Sequence, residues 1–378
     1  MLRVLIGSPF GTRMGGADEN LWTLLKGRER AQIDPHVLLL ADGPYRAEME
    51  AEGIPTTVVE PGRFREPWRL AGAIARTTTL IRQVQPDLCL SWLPRVQTVM
   101  APAATLAGKR DRIVYFEREL PRNWINRAAV ALPCRWVVAS SASILAVTQG
   151  MRPHRDGTTV WPGIRPTSHT APRVLTELRA QIGLRGRPVV GIAGRLLGWK
   201  GQDKLIDAAA LLRERGYDVD LLIVGSETHG VEAGIEAELH ARVAERGLED
   251  RVFFTGHVAP AAPYMELMDV FVLASDGEPF GIVLVEAMSL GLPVVAVGKH
   301  GPAEIVEDGV SGVLTQTNSP EHLAAAIEPL LEDERLRRRL GAGAYERYRS
   351  AFRQERMLDE LSRTLHGLVA ETDGGRSA

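Results

Sequence analysis

Short runs of valine, isoleucine and leucine alternate with amphipathic helical patterns along almost the whole chain. Strands buried on both faces read as continuous apolar runs, and helices connect one such strand to the next. The pattern therefore predicts an α/β fold with two doubly wound parallel sheets. The strands predicted for the first half cover 2–7, 35–40, 56–59, 87–91, 112–116, 136–139 and 158–161. Those predicted for the second half cover 188–193, 219–224, 251–255, 270–273, 294–297 and 312–314.

The length of 378 residues is too great for one typical hydrophobic core and predicts two domains. The first is expected over residues 1–164 and the second over 188–350. Several prolines, with serine and threonine, fall in the intervening stretch, so 165–187 is predicted as a linker. A last helix is predicted at about 352–370, beyond the final strand.

The composition is typical of a soluble globular protein, with 45% hydrophobic and 24% charged residues. Only two cysteines occur, so neither a disulfide framework nor a cysteine metal site is predicted. No run of about 18 apolar residues is present, and the N-terminus enters a strand without a signal-peptide pattern. We therefore expect a cytoplasmic protein.

Charge is divided unevenly between the two halves. Residues 1–165 contain 22 Lys and Arg against 15 Asp and Glu, whereas the remainder contains 23 against 32. Tryptophans are interleaved with the arginines of the basic half. Such a face attracts anionic lipid headgroups or an anionic acceptor, which predicts peripheral contact with the inner membrane face. The alternative is an ordinary solvated surface with arginine stems along it. No nucleic-acid-binding motif accompanies the basic residues, so no nucleic-acid partner is expected.

Two acidic residues flank a Pro-Phe-Gly turn in the second half. Glu278 precedes the turn, and Glu286 falls on the first turns of an apolar helix that begins near Gly281. The N–H groups and the positive dipole end of that helix would face the region beside Glu278. The segment therefore predicts a phosphate site with one carboxylate on each side. The alternatives are a helix-capping role for Glu278 and a partly buried helical acid at Glu286.

A glycine-rich turn with two cations follows the predicted strand 188–193. It reads Gly-Arg-Leu-Leu-Gly-Trp-Lys-Gly over 194–201, which places Arg195 and Lys200 at the end of that strand. Two cations beside a helix N-terminus suit a diphosphate and would neutralise it as a leaving group. Taken alone, two such cations in a loop are more often surface charges.

Together these segments resemble glycosyltransferase family 4. The similarity rests on Gly-Arg-Leu at 194–196, Lys-Gly at 200–201, the Glu278-x7-Glu286 spacing and the following Glu-Ala-Met-Ser-Leu-Gly-Leu-Pro-Val-Val-Ala-Val. It covers nearly the whole second domain and extends more loosely to the glycines at 15–16. The resemblance implies a GT-B fold, in which two Rossmann-like domains face each other across a cleft. It also implies that the terminal helix packs back on the first domain.

The resemblance further implies a role for each matching residue. Arg195 and Lys200 would bind the diphosphate and stabilise its departing charge, and Glu278 would lie beside the donor sugar. Glu286 would accept hydrogen bonds from the ribose hydroxyls. Backbone N–H groups of the helix start would meet the phosphates, and the Gly16 loop would close over the donor. The donor-binding set is thus expected to comprise Gly16, Gly194, His257, Phe280, Gly281, Ile282, Val283 and Glu286.

The chain departs from the family pattern after the strand at 112–116. Many members carry a histidine there, whereas this chain reads Glu117-Arg118-Glu119. Glu117 and Arg118, with Asp18 of the first helix, are therefore the candidates for contacts on the acceptor side. The alternative for Asp18 is an ordinary first-turn partner of the helix dipole.

The function expected from the resemblance is that of a retaining glycosyltransferase. It would move a sugar from a nucleoside diphosphate donor, most commonly a UDP-sugar, to a hydroxyl of a glycan, glycolipid or small-molecule acceptor. No cofactor and no metal are expected, because the two cations Arg195 and Lys200 are available to neutralise the diphosphate. The alternatives are a non-catalytic nucleotide-sugar-binding partner of another transferase and a GT-B nucleotide-sugar epimerase or phosphorylase.

Overall fold

The chain divides into two compact units in the computed structural model, which describes residues 1–13, 15–62, 65–227 and 232–374. The first unit comprises Met1–Gly163 together with the segment that starts at Gln354, and the second comprises Ile164–Arg353.

The first unit contains a parallel sheet of seven strands with the order β3-β2-β1-β4-β5-β6-β7. The strands are β1 Leu2–Ser8, β2 Ile33–Leu39, β3 Thr56–Val58, β4 Leu88–Trp92, β5 Ile113–Glu117, β6 Trp136–Ala139 and β7 Gly157–Thr159. The helices between them are α1 Gly16–Lys26, α2 Pro44–Ala51, α3 Pro67–Val84, α4 Pro94–Leu106, α5 Trp124–Ala131 and α6 Ala142–Met151, with a 3-10 turn at Arg110–Arg112.

The second unit contains a parallel sheet of six strands with the order β10-β9-β8-β11-β12-β13. The strands are β8 Val189–Ala193, β9 Asp220–Val224, β10 Val252–Phe254, β11 Val270–Leu273, β12 Val294–Val297 and β13 Val313–Thr315. The helices are α7 Pro172–Ile182, α8 Gln202–Glu214, α9 Ile235–Glu245, α10 Ala262–Met265, α11 Ile282–Ser289, α12 Gly301–Ile305, α13 Pro320–Glu332 and α14 Glu334–Ala351, with a 3-10 turn at Gly198–Lys200.

The last helix, α15 Gln354–Gly374, belongs to the first unit. Its apolar residues Leu361 and Leu365 are fully buried in the same cluster as Val4 and Ile6 of β1. Leu5, which points to the other face of that strand, packs in a separate cluster with residues of α3 and α4. Helices thus cover both faces of the first sheet, which explains why its central strands are apolar throughout.

The stretch 165–187, predicted as a linker, requires a correction because it contains helix α7 and lies inside the second unit. The linker was predicted from its prolines, but Pro172 begins the helix at a position where its missing N–H costs nothing. None of the residues of α7 is buried, so the helix lies on the surface of the unit.

Candidate functional site

The candidate site of the second unit lies where the strand order reverses. β8 and β11 are neighbours in the sheet although 76 residues lie between the end of β8 and the start of β11. From β8 the chain continues to β9 on one side, and from β11 it continues to β12 on the other side. In open parallel sheets, ligands bind outside the carboxyl ends of the strands at such a point. The two predicted segments, 194–201 and 278–286, follow these two strands. The fold therefore brings together the segments that the sequence analysis selected.

A short ion pair joins the two segments. The Nζ atom of Lys200 lies 2.6 Å from Oε2 of Glu278, and the two side chains are only 15% and 10% exposed. The backbones are also in close contact, since the N–H of Asp276 donates to the carbonyl of Trp199. At Gly201, with φ of 76°, a Cβ would lie 2.3 Å from the carbonyl oxygen of Ala274, so only glycine fits.

Arg195 lies on the same loop as Lys200, and its side chain is exposed. Its carbonyl accepts a hydrogen bond from Nε2 of Gln202 at 3.0 Å, which ties the loop to the first turn of α8. Gly194 before it has φ of 143°, and its N–H donates to Val224. The side chain of Arg195 is thus exposed to solvent, whereas that of Lys200 is paired with the carboxylate of Glu278.

Helix α11 begins at the junction, as predicted. Gly281 is its N-cap with φ of 107°, and a Cβ there would lie 3.2 Å from a methyl group of Leu273. Ile282 and Val283 form the first turn, where backbone N–H groups have no acceptor within the helix. Glu286 lies half-buried one turn further along.

The side chain of Phe280 is buried rather than exposed at the site. It is 4% exposed, and its ring stands edge-on to Phe352 with the centroids 6.0 Å apart. The structure therefore assigns it a packing role that fixes the start of α11. Phe280 would therefore contribute to the predicted donor-binding set through packing and not through direct contact with the donor.

A third segment meets the other two at the junction. It follows β12 and comprises Lys299, His300 and Gly301. Nζ of Lys299 lies 3.4 Å from Oδ1 of Asp276. The N–H of Gly301 donates to the carbonyl of Glu278 at 3.2 Å, and this glycine packs directly on the backbone of Phe280. No spacing rule links these positions, because their contact arises from the neighbouring positions of β11 and β12 in the sheet.

His257 lies apart from this cluster. It is exposed and follows β10, which is two strands away from β8. Strands are about 4.8 Å apart, which puts the ends of β8 and β10 about 10 Å from each other. The intervening strand ends are closely packed, since the N–H of Gly225 donates to Gly256 and a Cβ on Gly225 would collide with the carbonyl of Gly194.

The acceptor-side candidates of the first unit form a buried network near the carboxyl ends of β4 and β5, next to its own reversal point between β1 and β4. Arg118 is 7% exposed and donates from Nη2 to Oδ1 of Asn20 at 2.7 Å. Its guanidinium lies 5.2 Å above the ring of Trp92 and is attracted by Asp18. Nη1 of Arg118 is buried with no hydrogen-bond partner in the part of the chain that the structure describes. Burial lowers the pKa of this guanidinium, and the Asp18 carboxylate opposes the shift.

The same network holds the N-terminal end of α1, which starts at Gly16 after the N-cap Gly15. Asn20 donates to the carbonyl of Gly163, and Nε1 of Trp92 donates to the carbonyl of Ala17. Asp18 is 2% exposed, so it is not a simple solvent-facing dipole partner. The glycine loop is therefore anchored by side chains from β4 and from the turn after β5.

Glu117 is fully buried, which the sequence did not predict. One carboxylate oxygen accepts hydrogen bonds from the N–H groups of Arg118 and Glu119, both at 3.1 Å, and the other accepts from the hydroxyl of Tyr115. Burial raises the pKa of the Glu117 carboxyl to about 8, although these hydrogen bonds act in the opposite direction. Its position indicates that it shapes the turn carrying Arg118 rather than meeting a ligand itself.

The described residues contain no group of three or more histidine, cysteine, aspartate or glutamate side chains arranged to hold a metal ion. Among the helices described, none has the length and apolar character needed to cross a membrane.

Comparisons with known proteins agree with the geometry of the second unit. A family model described as glycosyl transferases group 1 matches residues 175–347. The lipopolysaccharide core biosynthesis glycosyltransferase LpsE of Rhizobium meliloti is 34% identical over 282 residues, which is 74% of this chain and 76% of LpsE. Alpha-D-kanosaminyltransferase of Streptomyces kanamyceticus is 36% identical over 170 residues, or 44% of this chain and 42% of the relative. Apart from LpsE, the chain spans about half the length of the curated relatives it matches, or less.

A solved structure extends the similarity to both units. The crystal structure of Anabaena Alr3699/HepE in complex with UDP-glucose is 28% identical, with a TM-score of 0.84 over 97% of this chain and all of that one. This likeness and the two parallel sheets with alternating helices confirm the predicted GT-B fold class.

Proposed function

Because the chain belongs to the family of group 1 glycosyl transferases, we propose that it transfers a sugar from a nucleoside diphosphate donor to a hydroxyl group of an acceptor. The observation that carries the proposal is the junction of β8 and β11. There an exposed Arg195, the Lys200–Glu278 pair and the N-terminus of α11 converge on one strand-end site.

The chemistry of this site suits the departure of a diphosphate. As the bond between the sugar and the diphosphate breaks, negative charge builds up on the leaving oxygen. Arg195 and Lys200 would stabilise that charge, with the first N–H groups of α11 as additional donors. The carboxylate of Glu278 is beside Lys200 and would contact the hydroxyls of the sugar. The half-buried Glu286 would accept hydrogen bonds from the ribose.

We propose UDP as the nucleotide of the donor. The support is the likeness to Alr3699/HepE, whose crystal structures contain UDP and UDP-glucose. Retention of the anomeric configuration and independence of metal ions complete the proposal. Both rest on the family resemblance, and the two cations supply a way to neutralise the diphosphate without a metal.

The acceptor is proposed to be a glycan, a glycolipid or a secondary metabolite, held by the first unit. These classes match the names of the relatives, which include a lipopolysaccharide core transferase and an alpha-D-kanosaminyltransferase. Trp68 and Trp124 of this unit are 68% and 62% exposed, and the surrounding sequence is rich in arginine. Such residues favour peripheral contact with an anionic membrane surface, which would bring the protein to a lipid-linked acceptor.

The experiment that tests the donor site combines binding with turnover. Calorimetric titration with UDP, GDP, dTDP and ADP identifies the preferred nucleotide, and release of that diphosphate from its sugar conjugates measures turnover. Lys200→Ala and Arg195→Ala should each lower kcat by about 10²-fold, since each removes charge stabilisation of the leaving group. Lys204→Ala is the matched control, because Lys204 lies on α8 and pairs with Asp203.

Activity of wild-type protein should persist in excess EDTA. Loss of activity on chelation, restored by a divalent cation, would contradict the metal-independent proposal. Unchanged turnover in both Lys200→Ala and Arg195→Ala would contradict the leaving-group assignment. Nucleotide binding without transfer or hydrolysis of any sugar conjugate would favour the non-catalytic alternative.

A further inference from the structure

His300 adopts a backbone conformation that normally belongs to glycine. Its φ is 54° and its ψ is −129°, the geometry of the first central residue of a type II′ turn. By contrast, Gln85 has φ of 49° and ψ of 54° and lies in the ordinary left-handed helical region at the end of α3. A side chain at the His300 geometry crowds its own backbone, so the residue is held there against local strain.

The strain is imposed by contacts on both sides of His300. Lys299 forms an ion pair with Asp276, while Gly301 donates to the carbonyl of Glu278. A Cβ on Gly301 would lie 2.2 Å from the Cα of Phe280, so the two backbones are in direct contact at this point. These contacts hold the turn against the loop that precedes α11, which is part of the predicted donor site.

Residues held in strained conformations persist where the surroundings determine them, and they cluster at ligand-binding positions. A glycine at position 300 would remove the strain and leave the contacts of Lys299 and Gly301 in place. A functional role of the side chain would explain why a half-buried imidazole occupies this strained position.

We propose that His300 is a donor-binding residue whose imidazole N–H donates a hydrogen bond to the diphosphate of the nucleotide sugar. This inference rests on the proposed function, because it places the diphosphate beside Lys200. The turn is connected to Glu278 and Asp276, which precede α11, whereas the predicted ribose ligand Glu286 lies further along that helix. His300 therefore serves the diphosphate end of the donor, not the nucleoside end.

The test separates the imidazole from the strain. His300→Ala removes the imidazole and keeps a Cβ, whereas His300→Gly removes both. Binding of UDP and UMP is measured by calorimetry, and the melting temperature is recorded for each variant. Gln85→Gly is the matched control, since it introduces glycine at another positive φ in an exposed part of the first unit.

Both His300 variants should bind UDP about tenfold more weakly, as expected for a hydrogen bond to a charged group, and should bind UMP within about twofold of wild type. His300→Gly should melt a few degrees above His300→Ala, and Gln85→Gly should retain both affinities. Wild-type UDP affinity in His300→Gly would overturn the inference and leave the donor site standing. If another nucleotide binds best, the same comparison is made with its diphosphate and monophosphate. Failure of wild type to bind any of UDP, GDP, dTDP or ADP would overturn both proposals.

Discussion

Replacing Glu278 by glutamine is predicted to tighten the binding of UDP, although Glu278 belongs to the proposed site. In the structure, Glu278 holds Lys200 at 2.6 Å, so a diphosphate must compete with this carboxylate for the cation. Two unit charges at about 4 Å attract by about 4 kcal/mol at an effective dielectric constant of 20, and desolvation offsets much of that gain. If about a third of this attraction opposes binding of the diphosphate, removing the negative charge of Glu278 strengthens UDP binding by about 1.4 kcal/mol, or tenfold in affinity.

Calorimetric titration of UDP into wild type, Glu278→Gln, Lys200→Met and the double variant checks this prediction. Glu278→Gln should bind about tenfold more tightly than wild type, whereas Lys200→Met should bind more weakly. In the double variant the tightening should disappear, because no cation remains to be released. Turnover of the donor should still fall in Glu278→Gln, since the contact with the sugar is lost. Unchanged or weaker UDP binding by a folded Glu278→Gln protein would refute the competition between carboxylate and diphosphate.

Two further predictions concern the other buried or half-buried acids. Glu286→Ala should weaken UDP binding by a few kcal/mol at most, as expected for the loss of hydrogen bonds to a carboxylate, and equal affinity in a titration would refute its ribose role. Burial raises the pKa of Glu117 to about 8 from its ordinary value of 4.5, so the folded state binds more protons between these values and stability falls as pH rises through that window. Glu117→Gln should therefore gain thermal stability relative to wild type between pH 5 and pH 8, by an amount on the order of a few kcal/mol. A difference in melting temperature that does not change with pH would refute this reading.

The sequence predicted the strands, and the turns that meet at the junction of β8 and β11, because both depend on local patterns. Continuous apolar runs mark β8, β11 and β12, and Gly281 marks the start of α11 since its φ of 107° excludes most other residues. The pairing of Lys200 with Glu278 was not predicted, because it joins residues 78 positions apart through the strand order. Burial of Glu117 was also missed, since a charged residue at a strand end is normally exposed.

The two units use the same order for their first six strands, yet their reversal points differ in character. In the second unit, Gly194, Gly201 and Gly281 all have positive φ, which lets the chain turn tightly between the strand ends and the helices α8 and α11. In the first unit, Leu93 follows β4, and the turn after β5 carries the buried Arg118. The side chain of Arg118 donates a hydrogen bond to Asn20 of α1, so polar side chains lie near these strand ends. The shared topology therefore creates two strand-end sites, and the glycine turns together with the N-terminus of α11 favour the second as the site of the proposed nucleoside diphosphate.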